Sequence, residues 1–140
     1  MTPPPLTLTP DVLAALREHA RREHPLECCG LLAGRGTRAT RAYAVANELA
    51  SPVAFRTEAR DSLAAFRAMR AAGVELLAVY HSHPTSPAVP SATDLAENPY
   101  GEAVVCVILG ADGVRAWRLS AASFTEVPLE TVPAEIATES

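Results

Sequence analysis

Two histidines and a carboxylate that could bind one metal ion occur within fourteen residues, between His81 and Asp94. His81 and His83 directly follow residues 74–80, VELLAVY, an apolar and partly β-branched run that predicts a buried strand. Side chains at i and i+2 of an extended chain point to one face, so both imidazoles should project together, about 7 Å apart along the backbone. Zinc prefers imidazole nitrogen and carboxylate oxygen, and catalytic zinc sites supply three protein ligands. His81, His83 and Asp94 therefore form a candidate zinc site.

Each of these residues also has an ordinary structural interpretation. Ser91 and Asp94 have the spacing of a helix-capping box, in which serine is the N-cap and an acid stands at the third helical position. His81 and His83 could be no more than a polar exit from the sheet. Capping and metal binding are compatible, however, because a helix start would hold Asp94 in a fixed position. The chain has four histidines, and two of them lie at a strand end, where α/β folds usually place ligands.

The order of these residues resembles a known family signature. His81-Ser82-His83, seven residues, Ser91, two residues and Asp94 is similar to the metal-binding motif of the JAMM (MPN+, Mov34 type) zinc metalloproteases. The resemblance covers nearly the whole chain. It implies that His81, His83 and Asp94 bind Zn²⁺, and that Ser91 donates a hydrogen bond to the oxyanion that develops during catalysis.

The same family motif requires an upstream glutamate. Residues 24–36, HPLECCGLLAGRG, supply Glu27 just before a Cys-Gly-Leu-Leu-x-Gly strand of the kind that short bacterial members carry. A hydrolytic zinc site needs a proton acceptor beside its water, and a carboxylate that is not itself a ligand can fill that role. Taken alone, Glu27 would be an ordinary solvated acid at a strand edge. The resemblance implies that Glu27 is the general base.

The family resemblance also implies a substrate class. It suggests a peptidase or isopeptidase that cuts after the C-terminal Gly-Gly of a ubiquitin-like protein, which in bacteria usually means a small sulfur-carrier protein. An extended substrate tail could add to a sheet edge, and we predict residues 53–57 as that edge because they are extended in pattern and without an evident partner. Phe55, Arg56 and Thr57 are the candidate substrate contacts.

Two other functions remain open at this level. One is a non-catalytic MPN scaffold, against which the intact ligand set argues. The other is a DNA-repair-associated relative of the RadC type, whose similar loop has asparagine between the two histidines, where Ser82 stands here. The upstream Cys-Gly-Leu-Leu element also favours the peptidase interpretation.

Composition limits the remaining classes. The 140 residues fit one domain, with 49% hydrophobic residues to form a core. A net charge of −4, with arginine as the only basic residue besides histidine, argues against a general nucleic-acid binder. No apolar run approaches the ~20 residues that span a bilayer, and the N-terminus has no secretory pattern. We therefore expect a cytoplasmic protein without nucleic-acid or membrane partners, whose oligomeric state is undetermined. We also expect Cys28, Cys29 and Cys106 to form no disulfide bonds, with Cys106 packed in the core as a small buried hydrophobe.

Local signals predict an α/β fold, a JAMM/MPN-like (cytidine-deaminase-like) mixed β-sheet flanked by helices. Residues 1–130 should form a single JAMM/MPN+ domain, with residues 131–140 as a flexible C-terminal tail. A hydroxyl cap and proline predict one helix from Thr9 to about His24, and Gly73 should end a second. The predicted elements are helices at 10–24, 59–72 and from Ser91, and strands at 28–35, 39–46, 74–80, 103–109, 114–119 and 124–129.

Overall fold

The first long helix begins where a hydroxyl, a proline and an acid follow one another in the sequence. In the computed structural model, which describes residues 4–131, the Thr9 hydroxyl accepts a hydrogen bond from the backbone N–H of Val12 at 3.4 Å. Pro10 occupies the first helical position, where its missing N–H costs nothing. The second long helix stops at Gly73, whose φ of 69° lies in the left-handed region that favours glycine.

Three helices and eight strands make up the described part of the chain. In chain order they are β1 (Leu6–Leu8), α1 (Pro10–Glu23), β2 (Cys29–Arg35), β3 (Arg38–Val45), α2 (Ala59–Ala72), β4 (Glu75–Ser82), α3 (Ala92–Ala96), β5 (Val105–Gly110), β6 (Gly113–Leu119), β7 (Phe124–Val127) and β8 (Leu129–Thr131). Both long helices occur where the sequence predicts them. None of the helices in residues 4–131 is long and apolar enough to cross a membrane.

The strands form one mixed sheet in the order β7-β6-β5-β4-β2-β3-β1-β8. Strand β1 is parallel to both β3 and β8, and β4 is parallel to β5. The other neighbouring pairs are antiparallel. The predicted mixed sheet flanked by helices is therefore confirmed.

The strands depart from the sequence expectations in four ways. Strand β1 was not expected, and the strand predicted at 124–129 is divided at Pro128, which has no N–H to donate. Strand β4 continues past residue 80 and includes His81 and Ser82, because both pair with β5. The predicted flexible tail includes Thr131, which instead ends β8; the rest of that tail, residues 132–140, lies outside the described residues.

Each long helix covers one face of the sheet. Helix α1 buries Val12 and Leu16 against a core that also contains Leu32 and Tyr80. Helix α2 buries Ala65 and Met69 on the opposite face, which is the face that Leu31 and Val79 share. Because side chains alternate along a strand, His81 projects to the same face as Val79, on the α2 side.

The central pair β2–β4 brings distant residues together. Cys29 at the start of β2 lies opposite His81 near the end of β4. The Ser82 hydroxyl accepts a hydrogen bond from the Cys28 N–H at 2.8 Å, and the Ser82 N–H donates to the Cys28 carbonyl at 3.1 Å. These bonds fix the chain just before β2, where Glu27 stands, beside the histidines.

Candidate metal centre

The two histidines are held by the end of β4. His81 is fully buried and lies between Cys29 of β2 and Ile108 of β5. The His83 N–H donates to the carbonyl of Leu109 at 2.8 Å, which extends the pairing one residue beyond the strand. Both imidazoles therefore start from a rigid part of the sheet.

Asp94 reaches the histidines from the first turn of α3. The Ser91 hydroxyl accepts from the Asp94 N–H at 3.0 Å, and Asp94 Oδ2 accepts from the Ser91 N–H at 2.9 Å. This is a complete capping box. The capping interpretation of Ser91 and Asp94 is confirmed, and the same geometry presents the carboxylate to the histidines.

The three side chains converge on one point. His81 Nε2 and His83 Nε2 are 3.1 Å apart, His83 Nε2 lies 3.1 Å from Asp94 Oδ2, and His81 Nε2 lies 3.3 Å from Asp94 Oδ1. The three residues are buried, and together they form a group that could hold a metal ion. Tetrahedral zinc with bonds of about 2.0–2.1 Å keeps its ligands about 3.3 Å apart, so the spacing suits zinc.

The hydrogen bonds of the rings also fit a cation. His83 Nδ1 lies 2.8 Å from the Pro87 carbonyl, which can only accept, so Nδ1 carries a proton and Nε2 of the neutral ring carries a lone pair. That lone pair faces a carboxylate oxygen and the second imidazole nitrogen. Atoms of this kind repel one another at such distances unless a proton or a metal cation lies among them. The residues present therefore fit a bound metal.

The charge states of His81 and Asp94 agree with this assignment. The pKa of His83 is raised instead, because burial, which lowers it, is outweighed by the hydrogen bonds to Asp94 and to the Pro87 carbonyl, so a metal would have to displace a proton from this ring. Burial lowers the pKa of His81, although Asp94 opposes the change, so the neutral ring that binds metals is favoured. Burial works against ionisation of Asp94, but the adjacent His81 and His83 outweigh it and hold the pKa of that carboxyl well below its usual range. Asp94 is therefore a carboxylate at neutral pH.

Glu27 is a buried acid beside this group. It is only 4% exposed, so the alternative of an ordinary solvated acid is wrong. Burial raises its pKa from 4.5 to about 7; His83 lowers the pKa and Asp94 raises it further. Glu27 Oε1 has no hydrogen-bond partner among the described residues. A buried carboxyl with a free oxygen and a pKa near neutrality has the properties of a general base.

The predicted substrate segment differs from the expectation. Residues 53–57 have backbone partners: the Arg56 N–H donates to the Asn47 side chain at 3.1 Å, the Arg56 carbonyl accepts from the Glu48 N–H at 2.8 Å, and Thr57 bridges to Asn47. The segment is a loop braced against residues 46–48 and is no strand of the sheet. Residues 46–48 and 53–57 can contact each other because both lie in the connection between β3 and α2.

Phe55 has a contact that sequence reasoning missed. Its ring stacks on the imidazole of His81, with ring centres 4.4 Å apart and an interplanar angle of 21°. Cys106, which is buried as predicted, places its sulfur 3.8 Å from His81 Nδ1. No local signal marks either contact, since residues 55, 81 and 106 come from separate elements.

A small cavity adjoins the ligands. It has a volume of about 30 Å³ and touches His81, Asp94 and Phe55. The hydroxyls of Thr57 and Tyr100 lie 3.2 Å apart at its side and join two loops. A space of this size holds one or two water molecules but no large side chain.

The fold and the site together define a mixed α/β domain with a buried metal-ligand group of two histidines and one aspartate. The family model of the prokaryotic homologues of the JAB domain (Prok-JAB) matches residues 9–120. The chain therefore belongs to that family, and the resemblance to the JAMM/MPN+ proteins is confirmed.

Individual relatives support this membership. The chain is 32% identical over 133 residues to the "CysO-cysteine peptidase" of Mycobacterium tuberculosis, covering 91% of each chain. It is 41% identical over 109 residues to the "Probable TtuB-protein conjugate cleaving protease" of Thermus thermophilus, covering 77% of this chain and 72% of that protein.

Solved structures agree on the fold. A protein from Desulfitobacterium hafniense superposes with a TM-score of 0.83 at 28% identity, over 96% of this chain and 97% of the other. A JAB1/MPN domain protein from Archaeoglobus fulgidus gives a TM-score of 0.60 at 20% identity, over 91% of this chain and 96% of the other. The second likeness establishes the fold alone.

Proposed function

We propose that the chain is a zinc-dependent peptidase or isopeptidase that cuts after the C-terminal Gly-Gly of a ubiquitin-like or sulfur-carrier protein. The observation that carries this proposal is the convergence of His81, His83 and Asp94 beside the buried carboxyl of Glu27. Three ligands and a separate proton acceptor are the complete requirement of a hydrolytic zinc site.

His81, His83 and Asp94 would hold the ion through two imidazole nitrogens and a carboxylate oxygen. Zinc bound there would supply Lewis acidity, which polarises a scissile carbonyl and activates water. Glu27 would accept the proton of the attacking water and later return it to the leaving amine. Its pKa of about 7 suits both transfers, because a group that titrates near the working pH can gain and lose a proton with little free-energy cost.

Ser91 is proposed as the donor to the developing oxyanion. Its Oγ accepts from the Asp94 N–H, which leaves the hydroxyl hydrogen available to donate. Ser91 is exposed, so a substrate can reach it. A single donor of this kind typically contributes a factor of about 10²–10³ in rate.

The partner that we propose is a protein with an extended Gly-Gly tail. Two relatives are named a CysO-cysteine peptidase and a TtuB-protein conjugate cleaving protease. These names support a substrate in which one protein is joined to an amino acid or to another protein. The cavity of about 30 Å³ beside the ligands favours small residues at the cleavage point, since glycine has no side chain to place there. Arg56 and Thr57, which follow the cavity-lining Phe55 in the chain, are proposed contacts of the tail.

A non-catalytic scaffold explains the site less well. Burying Glu27 without a hydrogen-bond partner for Oε1 costs stability, and a scaffold would gain nothing from it. We further propose that the protein acts in the cytoplasm, on the basis of the composition described above.

The direct test uses purified carrier proteins that end in Gly-Gly followed by extra residues. The protein is incubated with each of them, with and without added zinc, and the products are weighed by mass spectrometry. Cleavage after the second glycine, absent with Glu27→Gln, would support the proposal. Equal cleavage of substrates whose two glycines are replaced by bulky residues would defeat the proposed substrate class, and no cleavage of any peptide bond would defeat the proposed activity.

A further inference from the structure

The side chain of Asn47 connects two chain segments that approach the metal ligands from different directions. Its Nδ2 donates to the carbonyl of Glu27 at 3.1 Å and to the carbonyl of Ala54 at 3.0 Å. Its Oδ1 accepts from the N–H groups of Leu49 and Arg56, both at 3.1 Å. Both amide hydrogens and the amide oxygen are therefore used, and no other side chain of this size offers the same combination of donors and acceptors.

The segment that Asn47 braces carries Phe55. Ala54 and Arg56, on either side of Phe55, are both hydrogen-bonded to the Asn47 amide. This bracing places the Phe55 ring flat against His81, with ring centres 4.4 Å apart. Offset stacking of two rings fixes the plane of each, and it also excludes water from one side of the imidazole.

His81 depends on this stacking more than the other histidine does. The Nδ1 of His83 has a carbonyl acceptor at 2.8 Å, which fixes its ring strongly. The only polar neighbour of His81 Nδ1 given by the structure in residues 4–131 is the Cys106 sulfur at 3.8 Å, and a thiol is a weak acceptor. The orientation of His81 therefore needs a second restraint, and the ring of Phe55 supplies it.

We propose that Asn47 and Phe55 act as one positioning unit, which sets the plane of the metal ligand His81 and fixes the main chain that carries Glu27. The unit rests on the proposed function, because it acts on the metal ligands and the proposed base. It also gives Phe55 a role that differs from substrate contact. Neither residue touches the reacting atoms: Phe55 acts through the His81 ring, and Asn47 acts through the main chain of Glu27 and of the loop that carries Phe55.

The unit predicts weaker zinc binding when either member is changed. Phe55→Leu keeps the apolar volume but removes the ring, whereas Asn47→Asp keeps an acceptor but sets a carboxylate against the carbonyls of Glu27 and Ala54. Loss of a residue that orients a metal ligand typically costs 10–100-fold in metal affinity. We expect a loss in that range for both variants, and near-complete recovery, to within about threefold, for Phe55→Tyr, which restores a ring at the same place.

Zinc dissociation constants are measured by competition with a chromogenic chelator, without any substrate, and the fold of each zinc-free variant is checked by its unfolding transition. Phe66→Leu is the matched control for Phe55→Leu, because Phe66 is 39% exposed on α2. This control should bind zinc as tightly as the wild type.

The double variant Asn47→Asp/Phe55→Leu tests whether the two residues act together. If they form one unit, the double variant should lose no more affinity than the weaker-binding single variant, because the second change removes a restraint already lost. Losses that multiply would show two independent effects and overturn the unit, as would wild-type affinity in either single variant. These outcomes are separate from the proposed activity: a wild type that binds zinc but cuts no carrier protein would defeat the proposed function and leave the positioning unit standing.

Discussion

Replacing Glu27 by glutamine should stabilise the zinc-free protein progressively as the pH rises from acid to neutral. Glu27 is 4% exposed, and burial raises its pKa from 4.5 in the unfolded chain to about 7 in the folded chain. The folded protein thus retains a proton that the unfolded chain releases. Glutamine has nearly the same shape but no proton to release, so it removes the pH-dependent part of the cost.

The direction and size of the effect follow from proton linkage. Between pH 4.5 and about 7 the folded chain binds one more proton than the unfolded chain, so the free energy of unfolding falls as the pH rises. Below pH 4.5 the cost is absent, and above the folded pKa it is complete and constant. Since one pH unit corresponds to about 1.4 kcal/mol per proton, the full cost is about 3 kcal/mol. The advantage of Glu27→Gln over the wild type should therefore grow by that amount.

Urea unfolding in the presence of a chelator, at pH 4.5, 6 and 8, measures this difference. Only the change of the difference with pH is interpreted, because it cancels any pH-independent cost of the new amide. Glu75→Gln on the exposed start of β4 is the matched control, and its difference from the wild type should stay flat. Parallel stability curves for the wild type and Glu27→Gln would refute the assignment of a buried, proton-retaining carboxyl.

Three further predictions concern the site. His83→Ala removes one of three ligands, so zinc should be lost on dialysis; metal analysis that finds one zinc per chain would contradict the ligand assignment. Glu27→Gln should retain its zinc while kcat falls by about 10²–10⁴-fold, and steady-state kinetics showing full activity would remove Glu27 from the mechanism. Ser91→Ala should cost about 1 kcal/mol of stability, because the Asp94 N–H loses its acceptor, and about 10²-fold in kcat if the hydroxyl also stabilises the oxyanion. Paired melting and kinetic measurements separate these two effects, and unchanged kcat would leave Ser91 as a cap alone.

The elements that carry strong local signals were predictable. The Thr9-Pro10-Asp11 start and the Gly73 stop depend on backbone chemistry within a few residues, and both occur at the expected places. The three candidate metal ligands could also be selected from the sequence, because His81 and His83 are two residues apart in an extended segment and Asp94 lies in a capping box. Each of these signals is complete within a short stretch of sequence.

The missed features depend on pairing between distant segments. Strand β1 has three residues, too few to show a periodic pattern, and it exists because β3 and β8 pair with it on either side. The contact of Phe55 with His81 also depends on residues distant in sequence, because Asn47 holds the loop that carries Phe55. An irregular segment has no periodic pattern of apolar residues, so its sequence does not indicate which part of the fold a side chain such as Phe55 contacts.

The position of Glu27 beside the candidate ligands likewise could not be predicted from local sequence. Nothing in the sequence near Glu27 indicates its distance from His81, which follows more than fifty residues later. The two become neighbours because β2 pairs with β4 and aligns Cys29 with His81. Only the family resemblance could supply this neighbourhood from sequence, whereas residue chemistry alone favoured a solvated acid.

Asp94 shows why capping and metal binding could not be separated by pattern. Its Oδ2 accepts the Ser91 N–H at 2.9 Å and lies 3.1 Å from His83 Nε2, while Oδ1 lies 3.3 Å from His81 Nε2. A carboxylate has about four lone-pair positions, so one oxygen can close the capping box while both face the imidazoles. The capping box therefore holds the Asp94 carboxylate in place beside the imidazoles. The capping and metal-binding interpretations of Asp94 are thus one structural arrangement, in which the helix start orients the candidate ligand.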